Sequence, residues 1–273
     1  MTYEHLDLRI DKGVAYATLS RPERLNALNP KLTAELHGFF AGLNARSPAR
    51  VVILQGAGRA FCSGIDLKDM QPAGARKGAS QMLELQQSTR DIMLAMRRCP
   101  QPIISIVQGA ASGGGFALAL ASDIRLATPD ARMNAAFIRL GLSACDMGVS
   151  YFLPRMVGAS VAAEYLLTGR FMDAQRALSL GLVSRIGSLE ELRIEAQALA
   201  DDMLRATPLG LRLTKEALRL SIDAGSMEAV IAMEDSNQVL CTQGEDFAEG
   251  VAAFLEKRPP RYSGTRATAR KGL

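Results

Sequence analysis

Tryptophan is absent from this 273-residue chain, and aromatic residues make up only 5% of it. Single-stranded nucleic acid needs aromatic platforms beside basic residues, so that partner is disfavoured although the net charge is +4. The basic residues are spread along the chain except in the tail from Lys257 to Lys271. Histidine occurs only at His5 and His37, and Ser112 has Ala110 rather than glycine two residues before it, so a serine-hydrolase elbow with its base is excluded. Cys62, Cys99, Cys145 and Cys241 form no Cys-x-x-Cys pair. A reduced, cytoplasmic protein without a structural metal site is therefore expected. No apolar run approaches the roughly 20 residues of a membrane span. The first residues carry acids and lack an apolar h-region, so no secretory leader is expected. Gly56-Ala57-Gly58 is followed by Phe61 where a dinucleotide fingerprint needs its third glycine.

Hydrophobic residues at 48% and charged ones at 22% are the proportions of a soluble globular protein. Residues 6–10 and 14–19 read as two strands joined by a turn at Asp11-Lys12-Gly13. Asn29-Pro30 supplies an N-cap and a first-turn proline for a helix with Leu32, Leu36, Phe39, Phe40 and Leu43 on one face. Strands are expected at 51–54, 103–107, 124–127 and 182–186, an extended segment at 131–137, and a helix at about 80–98. Residues 71–79, with Pro72, Gly74 and Gly78, are expected to be mobile. Further helices are expected at about 150–157, 161–167 and 174–180, and after 187 nearly everything is helical, in four segments at about 188–206, 208–223, 227–242 and 246–256. This order argues for an α/β core over residues 1–187 and a helical region over 188–273, with no repeat of 20–50 residues.

One stretch organises the chain, Gln108-Gly109-Ala110-Ala111-Ser112-Gly113-Gly114-Gly115. It lies between the β-branched run 103–107 and the helix-forming run 116–121. Three glycines at a strand-to-helix junction let backbone N–H groups meet a ligand where the helix dipole favours negative charge. The alternative is that they permit close packing of helix on strand, and local sequence leaves both open. A second glycine-rich loop, residues 55–67, also follows a strand.

Together the segments 21–28, 58–70, 99–127, 153–158, 167–170, 177–183 and 254–259 resemble the enoyl-CoA hydratase/isomerase (crotonase) superfamily over nearly the whole chain. The resemblance implies an α/β crotonase (ClpP-like) spiral of ββα units, with a C-terminal helical region serving trimerisation and as a lid. It implies a homotrimer or a hexamer built as a dimer of trimers. It implies an acyl-CoA thioester as ligand, coenzyme A being part of the substrate and no cofactor being tightly bound. The thioester enolate oxygen would be held by the N–H groups of Ile65 and Gly114, and such a donor is worth about 2.7–4 kcal/mol. Coenzyme A would lie across residues 21–28 and 60–67, with Ala60, Ser63, Gly64, Asp66, Leu67, Gly113 and Phe137 as binding positions. Arg24 is a candidate phosphate partner, with Lys257 and Arg258 as weaker ones; for each, a solvated surface role is the alternative.

The pattern also departs. The two glutamates of the family's hydratases fall on Ala117 and Phe137, which carry no proton, and no Asp or Glu stands between Asp130 and Asp146. Asp146, in Gly141-Leu142-Ser143-Ala144-Cys145-Asp146-Met147-Gly148, occupies a place similar to an acid of two subgroups. In the dienoyl-CoA isomerases it carries a proton; in 4-chlorobenzoyl-CoA dehalogenase it is the nucleophile. The first-loop residues 61–70 resemble the former; the aromatic Phe137 and the non-acidic Ala117 resemble the latter, whose histidine is missing here. Asp146 is expected either in an apolar pocket suited to proton transfer or as the N-cap of the next helix. Cys145 is expected to be inert and Arg139 to lie at the surface. Two functions follow: an enzyme that most simply isomerises an unsaturated acyl-CoA in fatty-acid-type metabolism, or a non-catalytic acyl-CoA-binding protein of the same fold. Hydrolysis or dehalogenation through Asp146 ranks third.

Overall fold

The computed structural model describes residues 3–70 and 78–262. The segment read as mobile lies mostly outside them; Gly78 is already the residue before a helix.

A six-stranded sheet carries the chain's order. β1 (Leu6–Asp11) and β2 (Val14–Leu19) are antiparallel, joined through Lys12 and Gly13, both with positive φ, which suits a two-residue hairpin. β3 (Val51–Gly56), β4 (Ile103–Val107), β6 (Ile124–Ala127) and β9 (Arg185–Ile186) add in parallel, giving the order β1-β2-β3-β4-β6-β9. A small second sheet has the order β5-β7-β8, from β5 (Ala110–Ser112), β7 (Arg132–Asn134) and β8 (Met172–Asp173). Because β2, β3 and β4 run in parallel, their C-terminal ends open on one side of the sheet. Both glycine-rich loops start there.

Helices cover the sheet. The expected cap of α1 (Pro30–Gly42) is present: Asn29 Oδ1 accepts the Leu32 N–H at 2.8 Å. Leu32, Leu36 and Phe40 are buried beneath it. α2 (Leu67–Met70) is a single turn that begins where the glycine-rich loop of residues 55–67 ends. α3 (Ala79–Arg98) packs on α1, and its buried residues, Ile92, Met93, Ala95 and Met96, all lie in its C-terminal half. α4 (Gly114–Ala121) is buried at every residue, as its uniformly apolar sequence requires. α5 (Val149–Val157), α6 (Ala159–Thr168) and α7 (Ala174–Ser179) follow.

Two expectations are corrected, and packing past residue 187 adds a further observation. The strand expected at 182–186 pairs only at 185–186. The segment 131–137 is extended only over β7 and then turns into a 3-10 helix, Ala136–Leu140. The boundary at 187 is not where packing ends. α8 (Leu189–Leu204) lays Leu192, Ala196 and Ala200 on Val14, Val51, Ile53, Ile104 and Ile106, so it closes the sheet's second face. Each such large apolar side chain contributes about 1.5–3 kcal/mol of burial. Its Ser188–Glu191 capping box fixes where it starts. Only α9 (Pro208–Ser221), α10 (Met227–Thr242) and α11 (Glu245–Leu255) lie beyond the core, and α10 buries none of its residues.

Candidate active site

The loops after β3 and β4 are zipped together by backbone hydrogen bonds. Phe61 N–H donates to Gln108 O at 2.7 Å, Cys62 N–H to Ala110 O at 3.0 Å, and Ser112 N–H to Cys62 O at 3.0 Å. The first loop is held on its other side by residues 21–28. Leu28 N–H donates to Gly64 O at 2.7 Å and Asp66 N–H to Leu28 O at 2.9 Å. In an extended chain alternate peptides point to opposite sides. With Gly64 O and Asp66 N–H turned to Leu28, the Ile65 N–H faces the other way.

The Gly114 N–H is the first of α4 and one of the donors a helix leaves unpaired. Neither Ile65 N–H nor Gly114 N–H donates to an acceptor among the described residues. Their loops are in contact: a methyl group on Gly64 would lie 3.5 Å from the Gly114 nitrogen and 2.8 Å from Ser112 O. The two donors are thus positioned by backbone alone.

The three glycines divide the roles that the sequence left open. Gly113 has φ 51° and ψ −116°, a conformation for glycine, and this turns Gly114 into the helix. Gly115 is there for packing: a Cβ would lie 2.0 Å from Cys62 O. Gly114 supplies the N–H. A methyl built on it would lie 2.8 Å from Leu28 Cδ1 and 3.3 Å from Met147 Sδ, so Leu28 and Met147 flank the donor. Phe137, buried, covers Gly113, and Ala117 is buried inside α4.

The expected binding positions differ in burial and in partners. Asp66 is buried and points inward: its Oδ2 lies 3.0 Å from Arg21 Nη2, and its Oδ1 accepts the Lys68 N–H. Burial opposes its ionisation, but the Arg21 guanidinium and the N–H groups of Lys68 and Asp69 outweigh it and hold the carboxyl below its usual range. Asp66 therefore shapes the loop from within. Arg258 is committed to its own chain, with Glu249 at 2.6 Å and Glu256 at 2.5 Å. Arg24 is exposed and its guanidinium has no partner among the described residues. Ser63 is half-buried, Ala60 and Gly64 are buried, and Leu67 stands exposed on α2. Burial pushes the Cys62 thiol up to about 12, so it stays protonated.

Asp146 does not cap a helix. The residue before α5 is Gly148, with no side-chain cap, while Asp146 Oδ1 accepts the neighbouring Met147 N–H at 2.6 Å. Nor does it sit in a closed apolar pocket: it is half-buried and receives the Gln86 amide of α3. Its neighbour Met147, buried against Gly114, ties it to the N–H pair. Cys145 is exposed, and so is Arg139.

Sequence reasoning missed three residues. Asn26, fully buried with φ 55°, accepts the Arg21 N–H and donates to Ala57 O at 2.9 Å and Ala60 O at 2.7 Å, joining the loops. Arg21, rather than Arg24, is the buried arginine, donating to Ala27 O at 2.6 Å and to Asp69. Gln86 lacked any local signal. For Arg21 and Asn26 the signal available was a polar pair bracketing Pro22 in an otherwise turn-forming segment.

The site is thus an α/β scaffold with two contacting strand-end loops, each with a backbone N–H left unpaired among the described residues. The enoyl-CoA hydratase/isomerase family profile matches residues 9–265, and the chain belongs to that family and has the crotonase fold. It is similar to a probable enoyl-CoA hydratase of Mycobacterium leprae, 39% identical over 250 residues that cover 90% of this chain and 85% of the relative. It is also similar to the 1,2-epoxyphenylacetyl-CoA isomerase of Escherichia coli, 34% identical over 257 residues, with 93% and 97% covered. A solved enoyl-CoA hydratase from Bacillus anthracis superposes with a TM-score of 0.89 at 32% identity, covering 96% of this chain and all of that one.

Proposed function

We propose that this chain is an acyl-CoA enzyme that stabilises a thioester enolate and moves a proton on it, most simply isomerising an unsaturated acyl-CoA. The observation that carries the reading is the pair of unpaired N–H groups at Ile65 and Gly114, held by contacting loops. Bound between them, a thioester oxygen gains negative charge as the neighbouring C–H is lost. Preorganised donors stabilise that charge more than they stabilise the ground state. Asp146 is the carboxylate beside the Gly114 flank and takes the role of proton carrier. Water addition needs groups to hold and activate water, and Ala117 and Phe137 offer none. This favours proton transfer over hydration, although relatives of comparable identity bear both hydratase and isomerase names.

The acyl-CoA would reach the N–H pair between residues 21–28 and 60–67, with the partnerless Arg24 at a phosphate. The apolar residues that α9–α11 expose support assembly into a homotrimer, or a hexamer of two trimers. No helix among the described residues is long and apolar enough to cross a membrane.

The second reading, acyl-CoA binding without catalysis, draws on the apolar pair Ala117 and Phe137 and on the half-exposure of Asp146. A panel of enoyl-, dienoyl- and aryl-CoA thioesters, run on the wild type and on Asp146→Asn, separates the two. Isomerisation of at least one thioester, lost in Asp146→Asn, is expected. Binding without turnover of any thioester makes the protein a binder; full activity in Asp146→Asn removes the role given to Asp146.

A further inference from the structure

Two adjoining grooves lie away from the N–H pair, at the opposite, N-terminal ends of β3 and β4. One, of about 260 Å³, runs along Pro100, Pro208, Leu209 and Leu211. The other, of about 240 Å³, is walled by Arg97, Arg98, Lys215 and Arg219. Ala45, Pro100 and Arg212 line both, so the two are halves of one groove. Together they reach the size of a small-molecule site, roughly 300–1,000 Å³. No oxyanion pair faces this groove, so it is not the reaction site.

Its charge is concentrated. Arg50, Arg97, Arg98, Arg212, Lys215 and Arg219 come together from three separate parts of the chain. Against them stand three carboxylates: Asp123, which pairs with Arg97 and Lys215, Glu216 on the rim, and Asp246 facing Arg50. Arg98, Arg212 and Arg219 have no hydrogen bond or ion pair among the described residues. Most of the chain's net charge of +4 is thus gathered at one groove. Nothing in the sequence announced this, because the residues are scattered.

The other half of the groove has unfinished hydrogen bonding. Gln101 is 4% exposed; its Nε2 donates to Asn44 O and Ala49 O, and its Oε1 is buried without a partner. Arg50 donates through both Nη atoms to Leu204 O and Ala206 O, leaving a buried Nε–H unpaired. A buried polar atom without a partner is costly to the fold. This donor and acceptor lie beneath a wall of prolines and leucines, an apolar face of the kind a heteroaromatic base covers. Three free guanidiniums one step along match phosphate oxygens.

We infer that this groove is a second ligand site, taking a nucleotide with its phosphates against Arg98, Arg212 and Arg219 and its base between Pro100 and α9. The inference does not rest on the reaction proposed for the N–H pair. The test uses the full-length protein with ADP as probe. Photolabelling with 8-azido-ADP is expected to mark the peptides that contain residues 44–50 and 208–219. In calorimetry, Arg212→Gln with Arg219→Gln is expected to weaken a class of ADP site at least tenfold, while Arg24→Gln leaves that class unchanged. Arg98→Gln, at an exposed position, repeats the test if the double variant melts early. Label confined to residues 21–28 and 60–67, no label at all, or inorganic pyrophosphate competing as well as ADP would each overturn the assignment.

Discussion

Gln86 and Asp146 stand sixty residues apart in sequence, and the Gln86 amide donates to the Asp146 carboxylate. The contact spans from the exposed half of α3 to the loop before α5, so that helix orients a carboxylate whose neighbour Met147 flanks Gly114. If Asp146 moves a proton, Gln86 is its positioning residue. Gln86→Ala is expected to lower kcat on the order of 10–100-fold with little change in KM, the effect of a misplaced reacting group. Gln86→His, which keeps a donor, is expected to restore part of it. Steady-state kinetics of the three proteins decide the matter, and a change confined to KM speaks for a binding role.

Gly114→Pro removes one N–H while leaving a residue that helices accept at their first position. Turnover is expected to fall by about 2.7–4 kcal/mol of transition-state stabilisation, roughly 100–1,000-fold. Gly114→Ala is the control: it keeps the N–H, and its methyl presses on the flexible tips of Leu28 and Met147. Retained activity in Gly114→Pro would show that the donor plays no part.

The Asp66 carboxyl, held below its usual range chiefly by Arg21 against the cost of burial, links the first loop to pH. Its folded-state value lies below its unfolded one, about 3.9. Its stabilising contribution is therefore complete above about pH 4 and is lost as pH falls through the folded value. Urea midpoints measured between pH 6 and pH 2.5 are expected to drop more steeply for the wild type than for Asp66→Asn. At neutral pH Asp66→Asn is expected to be less stable by about 1–3 kcal/mol, since Arg21 keeps Asp69 and Ala27 O. Parallel acid profiles would assign the acid sensitivity elsewhere.

Phe254 is 83% exposed and Leu255 74%, on a helix that buries only Ala253. An apolar surface of that kind is expected to be covered by another copy of the chain. Sedimentation should give a trimer or hexamer for the wild type, and Phe254→Glu with Leu255→Glu should shift it toward smaller species. A wild-type monomer would set the assembly reading aside.

Elements whose signals are local were legible beforehand. The Asn29 cap, the β-branched run 103–107 between Pro102 and Gly109, and the four late helices appear within a residue or two of expectation. The glycine loops were legible as strand-end loops because their glycines and the flanking apolar runs are local signals. What escaped depends on distant partners. Leu192, Ala196 and Ala200 look like any amphipathic face, and only the sheet beneath assigns α8 to the core. The pairing of Asp66 with Arg21, forty-five residues earlier in the chain, had no local signal. Gln86 and the six cations of the groove share that cause.

The N–H pair has one further consequence. Because Ile65 and Gly114 contribute through the main chain, a codon change at Ile65 alters shape but leaves its donor in place. The charge-holding half of this site is in effect written in the path of two loops, and its vulnerable letters are Gly113 and Gly115, one set by torsion and the other by the Cys62 carbonyl. The proton-handling half is written in side chains and can be rewritten one at a time. On the proposed reading, a redesign that replaces Phe137 or Asp146 would keep both backbone donors, and could change the reaction without first rebuilding the fold.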